Sequence, residues 1–121
     1  MAEFKEITDI QDFEEVIEES TRRKIIIFKH STACPISAFA WSEVQDFMLN
    51  SSKDILVVMI KVIESRSLSN KVAADLEVQH QSPQALLISE KKVLWHASHQ
   101  VITQENLQRA LAGESQHFNM A

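Results

Sequence analysis

The chain has 121 residues, of which 45% are hydrophobic and 24% charged, and its single cysteine excludes an intrachain disulfide framework and a CxxC zinc site. Seventeen acidic residues against twelve Lys and Arg leave a formal charge of −5, which opposes a broad phosphate-binding surface, so nucleic acid is not an expected partner. The longest apolar run, Ile55 to Ile60, is far short of the roughly 20 residues of a membrane span, and Met1-Ala2-Glu3-Phe4-Lys5-Glu6 carries no signal-peptide core. No membrane partner and a cytoplasmic location are expected.

A length near 120 residues fits one core, so a single domain is expected over residues 1–112, with 113–121 as a flexible tail. Thr8-Asp9-Ile10-Gln11 reads as a capping box, and Ile10, Phe13, Val16 and Ile17 share one face of a helix from Asp9 to Glu19. Lys24-Ile25-Ile26-Ile27-Phe28-Lys29 is apolar without alternation, the mark of a central strand covered on both faces. From Cys34 to Leu49, Ile36, Ala40, Val44, Phe47 and Met48 recur at helical spacings behind Pro35 in the first turn. Ile55 to Val62 is a second apolar strand, so strand, helix and strand form a parallel βαβ unit.

Leu68, Val72 and Leu76 then mark a helix behind caps at Ser65 or Ser67, ending near Glu77. Gln84 to Ile88 and Val93 to Ala97 are strands separated only by Ser89-Glu90-Lys91-Lys92, which demands an antiparallel hairpin. A last helix starts at Thr103, carries Leu107, Ala110 and Leu111, and stops at Gly113. The predicted order is αβαβαββα around a mixed sheet of about four strands.

Chemistry concentrates at Cys34, which stands where a buried strand feeds a helix. The positive end of that helix favours thiolate, the nucleophilic form, over thiol. Ser37 lies one turn on, where its hydroxyl can donate to the sulfur but cannot resolve a disulfide. The competing reading is a small inert cysteine, which is what a free cysteine more often is. Ser82-Pro83 sits just before a strand, and such a bond taken alone is expected to be trans.

Taken together these features carry a resemblance. Helix, strand, Cys34-Pro35-Ile36-Ser37 at a helix start, parallel strand, helix, Ser82-Pro83, hairpin and last helix resemble the thioredoxin fold through residue 112. Lys29-His30-Ser31-Thr32 before Cys34-Pro35-Ile36-Ser37, with His80-Gln81-Ser82-Pro83-Gln84-Ala85 downstream, resembles the monothiol bacilliredoxins. The resemblance implies a cis Pro83 beside Cys34, substrate contacts from Ala33, Pro35, Ser82 and Pro83, and catalytic roles for Cys34 and Ser37. It implies a thiol-disulfide oxidoreductase whose Cys34 takes bacillithiol from S-bacillithiolated client proteins, with bacillithiol as co-substrate and no tightly bound cofactor. Two departures from wider thioredoxin patterns sharpen this. Ser37 replaces the second cysteine, which excludes a dithiol cycle, and Pro35 lacks the amide hydrogen that glycine offers in cluster-binding monothiol glutaredoxins. A non-catalytic binding module for extended peptides and a thiol sensor are the alternatives.

Other residues have plainer readings. His30, four positions before Cys34, is a candidate general base or charge partner for it, but the expected reading is a strand-end residue whose side chain points elsewhere; His80 is expected in an exposed loop on the rim near Pro83. His96 and His99 lack the further ligands that zinc requires, so no metal is assigned. Trp41 and Trp95 are packing residues, Trp95 on the same face as Val93 and Ala97. Glu14, Glu15, Glu18 and Glu19 form a solvated face.

Overall fold

The computed structural model describes residues 1–113, so the expected tail lies, from residue 114 on, outside the described residues. In chain order the elements are β1 (Glu3–Glu6), α1 (Ile10–Glu19), β2 (Ile25–His30), α2 (Pro35–Leu49), β3 (Leu56–Lys61), α3 (Arg66–Leu76), β4 (Gln84–Ser89), β5 (Lys92–Ser98), a 3-10 turn (His99–Val101) and α4 (Gln104–Leu111). The sheet runs β1-β3-β2-β4-β5; β1 and β2 are parallel to β3, and β4 is antiparallel to β2 and β5.

The mixed thioredoxin-like architecture is the expected one, with five strands in place of four. The added strand, β1, is a four-residue edge whose own side chains are largely exposed, with burial confined to the flanking Ala2 and Ile7. Its charged Glu3 and Glu6 suit an edge that must not pair further.

Every residue of β2 is buried, and β3 is buried up to Ile60, because both faces of the central sheet are covered. On one face Ile26, Phe28, Val57 and Met59 meet Ala40, Val44 and Phe47 of α2 and Leu107 of α4. On the other, Ile25, Ile27, Leu56 and Val58 meet Phe13 and Val16 of α1 and Leu68 and Val72 of α3. The two faces of one strand thus serve two cores, and an uninterrupted apolar run is the sequence that satisfies both.

Local expectations shift in four places. The cap of α1 is Asp9, whose Oδ1 accepts the Asp12 amide at 2.9 Å, because a carboxylate one residue beyond Thr8 also meets the positive helix end; Ile10 in that first turn is 40% exposed. Ile36 is 39% exposed, and the buried stripe of α2 begins instead at Ser37, three residues before Ala40. Val93 does not share a face with Trp95: the register shifts between Leu87 and Ile88, so Trp95 joins the α2 and α4 core while Val93 packs on the other side. The extra bulge residue is what breaks the alternation.

The hairpin turn is the fourth. Glu90 and Lys91 have φ of 52° and 64°, as a two-residue turn of the I′ kind requires, and neither is glycine or asparagine. The Ser20 backbone carbonyl accepts the Glu90 amide and Ser20 Oγ accepts the Lys91 amide, each at 2.9 Å, which holds the turn onto the end of α1. Glu90→Asn, which tolerates positive φ better, is expected to raise stability by about 0.5 kcal/mol. Urea unfolding checks this, and a loss of stability would show that the Glu90 side chain supports the turn.

Candidate active site

The ends of β2 and β3 and the start of β4 meet at one end of the sheet, since His30 pairs with Lys61 and Lys29 with Gln84. The chain leaves β2, crosses Ser31-Thr32-Ala33 and enters α2 with Cys34 as the N-cap and Pro35 in the first turn. Proline suits that position because the first amides of a helix need no partner within it. The Cys34 carbonyl accepts the Ala38 amide at 3.0 Å and closes the first turn.

The Cys34 side chain is half-buried and makes no capping hydrogen bond. The amides of Ile36 and Ser37 lie in the first turn, where an N-cap side chain finds its donors, and a thiolate is a far better acceptor there than a thiol. Ala33, Pro35 and Ile36 around the cysteine are exposed. Ser82 and Pro83 come to the same end of the sheet, directly before Gln84; the peptide bond between them is cis. Pro83 is buried, and its carbonyl accepts the His99 amide at 3.1 Å.

Ser37 is fully buried, and the structure gives its Oγ two partners. The Ser31 amide donates to it at 2.9 Å, and His30 Nδ1 lies 2.7 Å away. Among the described residues, a Ser37 bond to the Cys34 sulfur is not one of the hydrogen bonds formed. His30 therefore does not point away from the site, as its strand-end position suggested. Its ring is 8% exposed, stacks on Phe28 at 5.5 Å and approaches Trp41 at 6.1 Å. Burial, then Lys61, lowers its pKa against a smaller opposing pull from Glu64.

Sequence reasoning missed Lys29. Its side chain is fully buried on the α1 and α3 face, in line with Ile25 and Ile27, and period-two alternation was the signal that could have placed it there. Its ammonium donates to the Ser69 carbonyl at 3.1 Å and lies 3.2 Å from His80 Nδ1. Burial lowers its pKa to about 8. His80 is exposed, yet its Nδ1 is tied to Lys29, and burial, Lys29 and Arg66 in that order keep its pKa low. His96 and His99 line a cavity of about 490 Å³ near the end of α3. Among the described residues no three His, Cys, Asp or Glu side chains are grouped to hold a metal, and no helix is long and apolar enough to cross a membrane.

Known proteins share this arrangement. The model of the monothiol bacilliredoxin family matches residues 5–107. A solved protein described as an oxidoreductase with a thioredoxin fold is similar at 31% identity, with a TM-score of 0.81, over 89% of this chain and 93% of its own. A thioredoxin from Nicotiana alata (17% identity, TM-score 0.71, 95% of each chain) shares the fold. So does one from Fasciola hepatica (15% identity, TM-score 0.72, 92% of this chain and 99% of its own). A family match over nearly the whole described chain, on a thioredoxin fold that presents one cysteine at a helix start, makes this chain a member of the monothiol bacilliredoxin family.

Proposed function

We propose that the protein is a cytoplasmic monothiol thiol-disulfide oxidoreductase that removes bacillithiol from S-bacillithiolated client proteins. The observation that carries this is Cys34 as N-cap of α2 with Ser37, not a second thiol, one turn behind it. The Cys34 thiolate attacks the bacillithiol sulfur of the client mixed disulfide. A bond forms between Cys34 and bacillithiol, the original disulfide breaks, and its electron pair leaves with the client sulfur, which takes a proton from water. No other cysteine in the chain can clear the adduct. A free bacillithiol thiolate then attacks the bacillithiol sulfur on Cys34, giving bacillithiol disulfide and the Cys34 thiolate. In the balance the client sulfur is reduced and one free bacillithiol is oxidised, joining the bacillithiol taken from the client in one disulfide, so turnover needs an outside supply of the reduced thiol.

Ala33, Pro35, Ser82 and Pro83 are assigned to hold the substrate. Three of them lie on the exposed or half-exposed rim, and Pro83 anchors the strand start beneath. Intact-mass measurement of reduced protein with bacillithiol disulfide tests the reading. One bacillithiol adduct on Cys34, released by free bacillithiol and slower to form with glutathione disulfide, is the expected result. No adduct would overturn the reading and favour a peptide-binding module.

A further inference from the structure

The hydrogen bonds around Ser37 leave its hydroxyl with a choice. A serine oxygen has two lone pairs and one proton, and the Ser31 amide already fills one lone pair at 2.9 Å. His30 Nδ1, at 2.7 Å, decides the rest. A bare Nδ1 accepts the Ser37 proton and leaves none for Cys34. An Nδ1 that carries hydrogen donates into the second lone pair, and the hydroxyl proton must turn to another acceptor; the Cys34 sulfur stands three residues earlier on the same turn.

We propose that His30 is a positioning residue that governs Cys34 through Ser37, turning the serine hydroxyl toward the sulfur when Nδ1 carries hydrogen and withdrawing it when Nδ1 is bare. The proposal rests on Cys34 being the reactive thiol. In the activating step the Cys34 side chain, which forms no bond to Ser37 in the structure, turns onto Oγ; its thiol proton passes to Ser37 Oγ as the Ser37 proton passes to Nδ1, leaving thiolate, hydroxyl and imidazolium. No net proton is gained or lost. Thiolate and imidazolium stabilise each other through the serine, so the charge on one favours the charge on the other.

The surroundings suit a ring that starts neutral and is held in place. Lys61 on β3 opposes its charge and Glu64, between β3 and α3, favours it; Cys34 faces it by way of Ser37 at the start of α2, and Phe28 and Trp41 present uncharged rings. The ring stacking fixes the imidazole plane and keeps Nδ1 on Ser37.

Two measurements test this: the pH profile of Cys34 alkylation by iodoacetamide, and the titration of His30 followed by imidazole nitrogen resonances. The wild-type alkylation profile is expected to show two inflections. His30→Phe, which keeps a ring between Phe28 and Trp41, and Ser37→Ala each remove the lower inflection, and the double variant matches either single one. Cys34→Ser is expected to lower the His30 midpoint, and Ser37→Ala to cancel that shift. A His30→Phe profile that superimposes on wild type, or a His30 midpoint indifferent to Cys34→Ser, overturns the proposal. The resonance titration leaves His30 in place, so it decides the matter even if His30→Phe fails to fold. Iodoacetamide contains no bacillithiol, so failure of the bacillithiol reading and failure of this one give different results.

Discussion

Cys34→Ser is expected to abolish bacillithiol transfer, with a rate loss of more than about a thousandfold, while Tm moves by less than about 2 °C. The two halves of this expectation have separate causes. Serine has the same shape, but its hydroxyl does not ionise near neutral pH, so the only nucleophilic sulfur in the chain is lost. Stability is spared because Cys34 is half-buried at an N-cap with no capping bond, and serine is a preferred residue there. Loss of bacillithiol from a modified client, followed by mass spectrometry beside a thermal melt, checks both. Transfer surviving in the variant would remove Cys34 from the mechanism. A collapse in Tm would mean that the sulfur is structural, and lost activity would then say nothing of chemistry.

The parts of this molecule that a sequence can reveal are those where one physical demand dominates. The Ile25–Phe28 and Leu56–Ile60 runs are apolar because two cores claim both faces of each strand, whereas Lys29 and His30 at the end of β2 also answer to polar partners. Cys34-Pro35 is legible because proline at a helix start is a local rule, independent of what packs later. The features that escaped each answer two demands at once. Residues 3–6 pair with β3 through the backbone ladder and a half-exposed Glu6–Lys61 ion pair, and an edge strand with exposed side chains leaves little apolar pattern. Val93-Leu94-Trp95 fits simple alternation until a bulge, set by the register with β4, breaks it.

At the site, Ser37 was expected to serve the thiol, but its position in the buried stripe of α2 also gives it to His30 and Ser31. Nothing in the spacing from residue 30 to 37 says that a strand end and a helix turn will share a hydrogen bond. That pairing follows from α2 packing on the face of the sheet where Ile26 and Phe28 of β2 point, which is a tertiary fact.

Lys29→Met is expected to raise Tm by about 5 °C at pH 7, with the gain shrinking toward zero by pH 10.5. Wild type holds a fully buried ammonium whose bonding partners are a carbonyl and an imidazole, neither of them an acid. Replacing buried ion pairs by apolar side chains of similar volume is often neutral or stabilising by about 1–4 kcal/mol; Lys29 has no acid to offset its desolvation, and a gain at the low end of that range is several degrees for a chain of this size. The Ser69 carbonyl lies within α3, and the exposed His80 can turn to water, so the partners left behind lose little.

The sign of the pH dependence follows from linkage. The folded-state pKa of Lys29 is about 8, against 10.5 for a free lysine. Below pH 8 the ammonium is charged in both states, and the folded state carries the full cost of burying it. Between about pH 8 and 10.5 the unfolded chain holds more protons, so wild-type stability rises with pH relative to the variant, and above that range both states are neutral and the difference disappears. Thermal melts of both proteins at pH 7, 9 and 10.5 decide the matter. An equal gain at all three values would trace the effect to packing, and a loss at pH 7 would mean that the bonds to Ser69 and His80 outweigh desolvation. The bond from the cation to His80 ties down the segment that leads into Ser82 and Pro83, so on the proposed function the more stable variant is expected to transfer bacillithiol more slowly.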